Sequence, residues 1–206
     1  MSYDRLTPDN AAILFVDHQT GLSNGVQDQS MPEYMTAVTG LAKLARNYNL
    51  PAVITTSAAD GPNGPLMPVI REQLPDAAMV HRPGEINAWS NPDFVAAVKR
   101  TGRKKLIVAG VSTEVCVAFV ALSALADGYE VYAVIDASGT WNTLVREVAV
   151  ARMAQAGVVP ITWVAVGAEL LGDWRSPYAE GHGKVMSEHL PFRANLTASF
   201  QSARGG

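Results

Sequence analysis

Five apolar runs separated by segments of helical spacing govern what this chain can fold into. Ala11–Val16, Pro51–Thr55, Lys105–Ala109, Glu130–Ile135 and Val159–Val166 run on in Val, Ile, Leu and Ala without polar alternation, as strands covered on both faces do. Met79–Arg82 reads as a short extra strand. Between them, Met31–Asn47, Pro92–Thr101, Thr113–Ala126 and Thr143–Ala156 repeat apolar residues at helical intervals, and Gly102, Gly128 and Gly157 stand where helices end. Strands and helices alternating at this pitch predict a doubly wound parallel α/β sheet with helices on both faces, since right-handed crossovers place them there. A chain of 206 residues fits one such domain, spanning 1–206.

Two stretches break the alternation. Residues 57–65, Ser-Ala-Ala-Asp-Gly-Pro-Asn-Gly-Pro, are too rich in Gly and Pro for regular structure and form a loop leaving the carboxyl end of a strand. From Gly172 onward Trp174, Tyr178, Phe192 and Phe200 lie among Gly, Pro and charges with no strand pattern, so the tail 172–206 is expected to pack against another subunit. The apolar stretch Val115–Ala126, interrupted only by Ser123, is far short of the ~20 residues that span a bilayer. It is expected to be a buried helix, covered by the sheet and by a neighbouring subunit.

Lys and Arg total 16 against 19 Asp and Glu, with the basic residues scattered, which is no footprint for nucleic acid. One cysteine makes no intrachain disulfide, and the opening Met1-Ser2-Tyr3-Asp4-Arg5 carries no basic and apolar leader. The expectation is a cytoplasmic protein with neither a nucleic-acid nor a membrane partner.

Ligands of open α/β sheets bind beyond the carboxyl ends of the strands, so the residues just after each strand are the candidates. Three stand out: Asp17 after Ile13-Leu14-Phe15-Val16, Arg82 after Met79-Val80-His81, and Cys116 one loop beyond Leu106–Gly110. An acid, a cation and a thiol on one sheet edge supply a base, an anion holder and a nucleophile. A thiol near a helix start also meets the partial positive charge of free N–H groups, which favours thiolate. Each residue has a plainer alternative: free cysteine is often a small core hydrophobe, Asp after a strand a turn former, and Arg beside Pro83 a surface charge.

Val16-Asp17-His18-Gln19, Arg82-Pro83-Gly84 and Gly110-Val111-Ser112-Thr113-Glu114-Val115-Cys116-Val117-Ala118 resemble the isochorismatase-like cysteine hydrolases. The likeness runs almost from end to end, through Gly61–Pro65, Glu85–Trp89, Asp136–Thr140 and Asp173-Trp174-Arg175, and is strongest to the YcaC-type branch. The resemblance implies a three-layer αβα fold and a triad of Asp17, Arg82 and Cys116, with Arg82 where many relatives carry lysine. Arginine stays charged and cannot shuttle a proton, yet it holds an anion by a fork of donors. The resemblance also implies a cis peptide at Val111–Ser112 that aims the Ser112 and Cys116 N–H groups at one developing oxyanion.

The chemistry so implied is hydrolysis of a small amide-like C–N bond through a thioester on Cys116. Phe15, Trp89 and Trp141 are the apolar candidates for the substrate pocket. No metal or other cofactor is expected: nicotinamidases of this superfamily use an Asp-x-His pattern after the second strand, and Thr55–Asp60 contains no histidine. His18, His81, His182 and His189 have no ligand spacing and are expected to be core or solvated residues. The resemblance further implies a homo-oligomer, an octamer in the YcaC-type branch. A redox-sensing, non-hydrolytic thiol on the same fold is the alternative reading.

Overall fold

A computed structural model describes residues 4–204. Six parallel strands, β1 (Ala11–Val16), β2 (Ala52–Ser57), β3 (Ala78–Arg82), β4 (Lys105–Gly110), β5 (Glu130–Val134) and β6 (Val159–Ile161), form one sheet in the order β3-β2-β1-β4-β5-β6. β1 pairs with β2 on one side and β4 on the other, so the strand order reverses between β1 and β4. That switch point opens the crevice in which α/β sheets bind ligands.

The side chains of β1 alternate between two cores. Ala11, Ile13 and Phe15 enter one with α2 (Met31–Asn47), while Ala12, Leu14 and Val16 enter the other with α4 (Pro92–Arg100) and α5 (Ala118–Ala126). α1 (Thr20–Ser23) and α3 (Pro68–Gln73) are short, and α6 (Thr143–Ala156) follows β5. Ser30 and Glu33 form a capping box that starts α2, and Gly157 closes α6 in the left-handed conformation.

Two expectations are corrected. The run Val159–Val166 is not one strand: β6 stops at Ile161, Thr162 accepts a hydrogen bond from the Ala165 N–H, and α7 (Trp163–Leu171) begins there. The β-branched residues hid an N-cap threonine, which satisfies a free N–H and so marks a helix start. Thr113–Ala126 is not one α-helix either, because Thr113–Val117 is a π turn leading into α5. The segment after Gly172 contains α8 (Ala179–His189) and α9 (Pro191–Arg204), and α8 packs within its own chain, burying His182, Val185 and Met186. By contrast α9 buries none of its residues. Among the described residues no helix is long and apolar enough to cross a membrane, and no cluster of three or more His, Cys, Asp or Glu is placed to hold a metal.

Candidate active site

Asp17, Arg82 and Cys116 meet at the carboxyl edge of the sheet. Asp17 follows β1 with φ 57, a left-handed conformation that is uncommon outside glycine, and its N–H donates to the Thr55 carbonyl at 2.9 Å. This fixes the carboxylate between β2 and β4. Arg82 ends β3 fully buried: its Nε donates to Thr55 Oγ1 at 2.9 Å, its Nη1 to the Glu85 carbonyl, and its Nη2 to both oxygens of Asp17. Every arm of the guanidinium has a partner, as a buried cation requires.

Cys116 sits in the π turn after β4, with the Val111–Ser112 peptide cis. Its thiol lies beside the Asp17 carboxyl and the Ser112 N–H, close enough for both to act on it. The expectation of a resting thiolate is overturned. Burial pushes the thiol well above the ordinary cysteine range, and the Asp17 negative charge pushes it further, outweighing the Ser112 N–H and Arg82. Burial also raises the Asp17 carboxyl, against the lowering pull of Arg82. Burial and the neighbouring Asp17 thus favour the protonated thiol over the thiolate at rest.

The thiol opens onto a cavity of about 280 Å³ lined by Asp17, Leu22, Ser57, Asn63, Ile86, Val111, Ser112, Glu114, Val115, Cys116 and Trp141. Of the residues singled out for the oxyanion site and the pocket, Val111, Ser112 and Trp141 line this cavity. Phe15 does not: period-two alternation points it into the α2 core, where it is fully buried edge-on to His18. Trp89 also lies elsewhere. It packs edge-on to Phe94 and Tyr129, its Nε1 donates to Asp127 at 2.9 Å, and Ile86 of the same segment reaches the cavity instead.

Two polar residues missed in the sequence shape this space. Gln19, fully buried, clamps Ser57 by accepting from its N–H at 2.8 Å and donating to its carbonyl at 3.1 Å, while Asn63 Nδ2 donates to the same carbonyl at 2.9 Å. The Gly- and Pro-rich composition of 57–65 signalled the loop but not that Asn63 lines the cavity. His18 is a core residue beside the site: Nε2 bonds the Ala137 carbonyl at 2.9 Å, and burial lowers its pKa to about 4, so the ring is neutral.

The Isochorismatase domain model matches residues 11–165. The chain is 49% identical over 97% of its length to the Escherichia coli (strain K12) protein named probable hydrolase YcaC, covering 96% of that protein. Among solved structures, Pseudomonas aeruginosa YcaC with hexane-2,5-diol and covalent acrylamide is similar at 53% identity and TM-score 0.95, covering 98% of this chain and 99% of that one. Escherichia coli YcaC, described as an octameric hydrolase of unknown specificity, is similar at 50% identity and TM-score 0.95 over 98% of this chain and 99% of that one.

Proposed function

The chain belongs to the isochorismatase domain family, and from that premise we propose that it is a cysteine-dependent hydrolase cleaving a small amide-like C–N bond through a thioester on Cys116. The observation that carries this reading is the placement of the Cys116 thiol beside the Asp17 carboxyl at the wall of one small cavity. Sulfur attacks the carbonyl carbon as the thiol proton passes to Asp17, so a buried free thiolate is never required. The carbonyl oxygen becomes the oxyanion, received by the Ser112 and Cys116 N–H groups. As the C–N bond breaks, Asp17 returns its proton to the departing nitrogen. Water then gives a proton to Asp17 and its oxygen to the acyl carbon, the C–S bond breaks, and sulfur recovers the proton.

Arg82 stays protonated throughout and keeps Asp17 ionised between turnovers. A raised carboxyl pKa suits a group that must hold a proton for one step and release it in the next. A redox sensor needs an accessible thiol of low pKa, and Cys116 is half-buried with its pKa raised, which favours the hydrolase.

The same proposal includes a small-molecule substrate, a reducing cytoplasmic setting for the free thiol, and a homo-oligomer, octameric as described for the Escherichia coli relative. Assembly is supported by uncovered apolar residues, Leu144 and Val148 on α6 and Phe192, Leu196 and Phe200 on α9. In this reading α9, rather than the whole segment from 172, makes the subunit contact. The test is intact mass spectrometry after incubation with a library of small amides. Acyl adducts on wild type that are absent from Cys116→Ser support the reading, and no adduct with any amide overturns it.

A further inference from the structure

The cavity carries one charge that the triad does not answer. Asp17 is balanced by Arg82, but Glu114, two residues before the nucleophile, also lines the cavity and forms no ion pair among the described residues. One of its oxygens, Oε2, accepts a hydrogen bond from Thr140 Oγ1 at 2.7 Å. Thr140 is fully buried and held in turn by Asp28, which accepts its N–H at 2.9 Å, so this carboxylate is anchored by rigid structure. The next residue, Trp141, lines the same cavity with a partly exposed indole. The remaining wall combines apolar Leu22, Ile86, Val111 and Val115 with the uncharged polar residues Ser57, Asn63 and Ser112, so apart from the neutralised Asp17 only Glu114 brings a charge to it.

A fixed carboxylate beside an aromatic face is a receptor for a compact organic cation: the carboxylate supplies the counter-charge and the indole the electron-rich surface. We propose that Glu114 and Trp141 are specificity-determining residues that select a substrate bearing an ammonium group, primary to quaternary, a few bonds from its scissile carbonyl. The assignment rests on the hydrolase reading for the word substrate, while the cation preference belongs to the cavity itself. Anionic acyl groups are turned away by the same carboxylate.

The experiment uses the single thiol as a reporter. Cys116 is labelled in wild-type protein with aminoethyl, trimethylammonioethyl and sulfonatoethyl methanethiosulfonates at raised ionic strength, which screens the distant surface charges. Each rate is divided by that on a free small thiol. The expected result is a preference for both cations over the anion of roughly tenfold or more. Glu114→Gln still accepts from Thr140 and should remove most of that ratio, whereas Glu188→Gln, a surface carboxylate paired with Lys43, should leave it in place. Trp141→Leu should lower the trimethylammonioethyl rate relative to the aminoethyl rate. A wild-type ratio near one overturns the proposal even if the Glu114 variant does not fold, as does a ratio that Glu114→Gln leaves unchanged. Labelling needs no turnover, so a protein that keeps the ratio but acylates with no amide fails the hydrolase reading alone.

Discussion

One nitrogen of Arg82, Nη2, bridges both carboxylate oxygens of Asp17, and neither side chain meets solvent. The remaining guanidinium nitrogens are anchored to Thr55 and the Glu85 carbonyl, so the pair is oriented as well as neutralised. Asp17 is therefore free to present an oxygen to the Cys116 thiol without shifting when the proton moves.

Breaking this pair should be expensive for folding. Arg82→Ala leaves a buried carboxylate without its counter-ion, and urea unfolding is expected to show a loss of about 3–5 kcal/mol. Adding Asp17→Asn in the same chain should recover part of that loss, because the orphaned charge is gone. Equal stability of the single and double variants would contradict this account.

Asp17→Asn alone should divide reactivity from catalysis. Removing the neighbouring negative charge lets the thiol pKa fall, so alkylation by iodoacetamide near pH 8 should speed up and its pH profile should move to lower pH. Acyl-enzyme formation should instead drop by about 10²–10⁴, the usual contribution of a positioned base. An alkylation profile identical to wild type would remove Asp17 from the thiol's surroundings.

His18 sets a stability change in mild acid. Its folded pKa is lowered from 6.5 to about 4, so the unfolded chain binds this proton first. The stabilising contribution is complete above pH 6.5, drains away as pH falls toward 4, and amounts to about 3 kcal/mol. Burial lowers His182 and His189 in the same direction, so the difference from a His18→Phe variant isolates this residue. Urea midpoints measured across the window should show a shallower acid slope for the variant.

Gly21 lets the loop at 57–65 reach the site. A Cβ there would lie 2.0 Å from the Pro62 carbonyl oxygen, and the Gly21 N–H donates to the Asn63 carbonyl at 2.9 Å. Gly21→Ala must push the loop outward and carry Asn63 away from the cavity. Up to about a hundredfold loss in kcat/KM is expected toward any amide that acylates Cys116, with faster proteolysis at 58–65.

Removing 191–206 should spare the protomer and dissolve the assembly, since none of α9's own residues is buried in its chain. Light scattering should report a smaller species with an unchanged far-ultraviolet spectrum per remaining residue, apart from the lost helix. A truncated protein of unchanged size would assign the contact to other surfaces.

The strands were legible because burial on both faces writes itself as uninterrupted apolar runs, and the residues after them led directly to Asp17, Arg82 and Cys116. What escaped detection depends on direction and surroundings. Phe15 and Trp89 look like pocket residues by type, but the strand's two-residue period and the Asp127 acceptor turn them elsewhere. The protonation of Cys116 was misjudged because a helix start acts locally, whereas desolvation and the Asp17 charge come from distant parts of the chain. The helices after β6 were hidden by β-branched residues around Thr162 and by the polar, glycine-bearing sequence of α8.

Asp17, Arg82 and Cys116 come from the carboxyl ends of β1, β3 and β4, the first two 65 residues apart, and no local segment can bring them together. In the unfolded chain the lone thiol has the reactivity of any free cysteine; in the completed sheet it is shielded and proton-bound until a carbonyl enters. A pulse of alkylating reagent during refolding would thus time the closing of the sheet at its centre, with the nucleophile serving as its own clock.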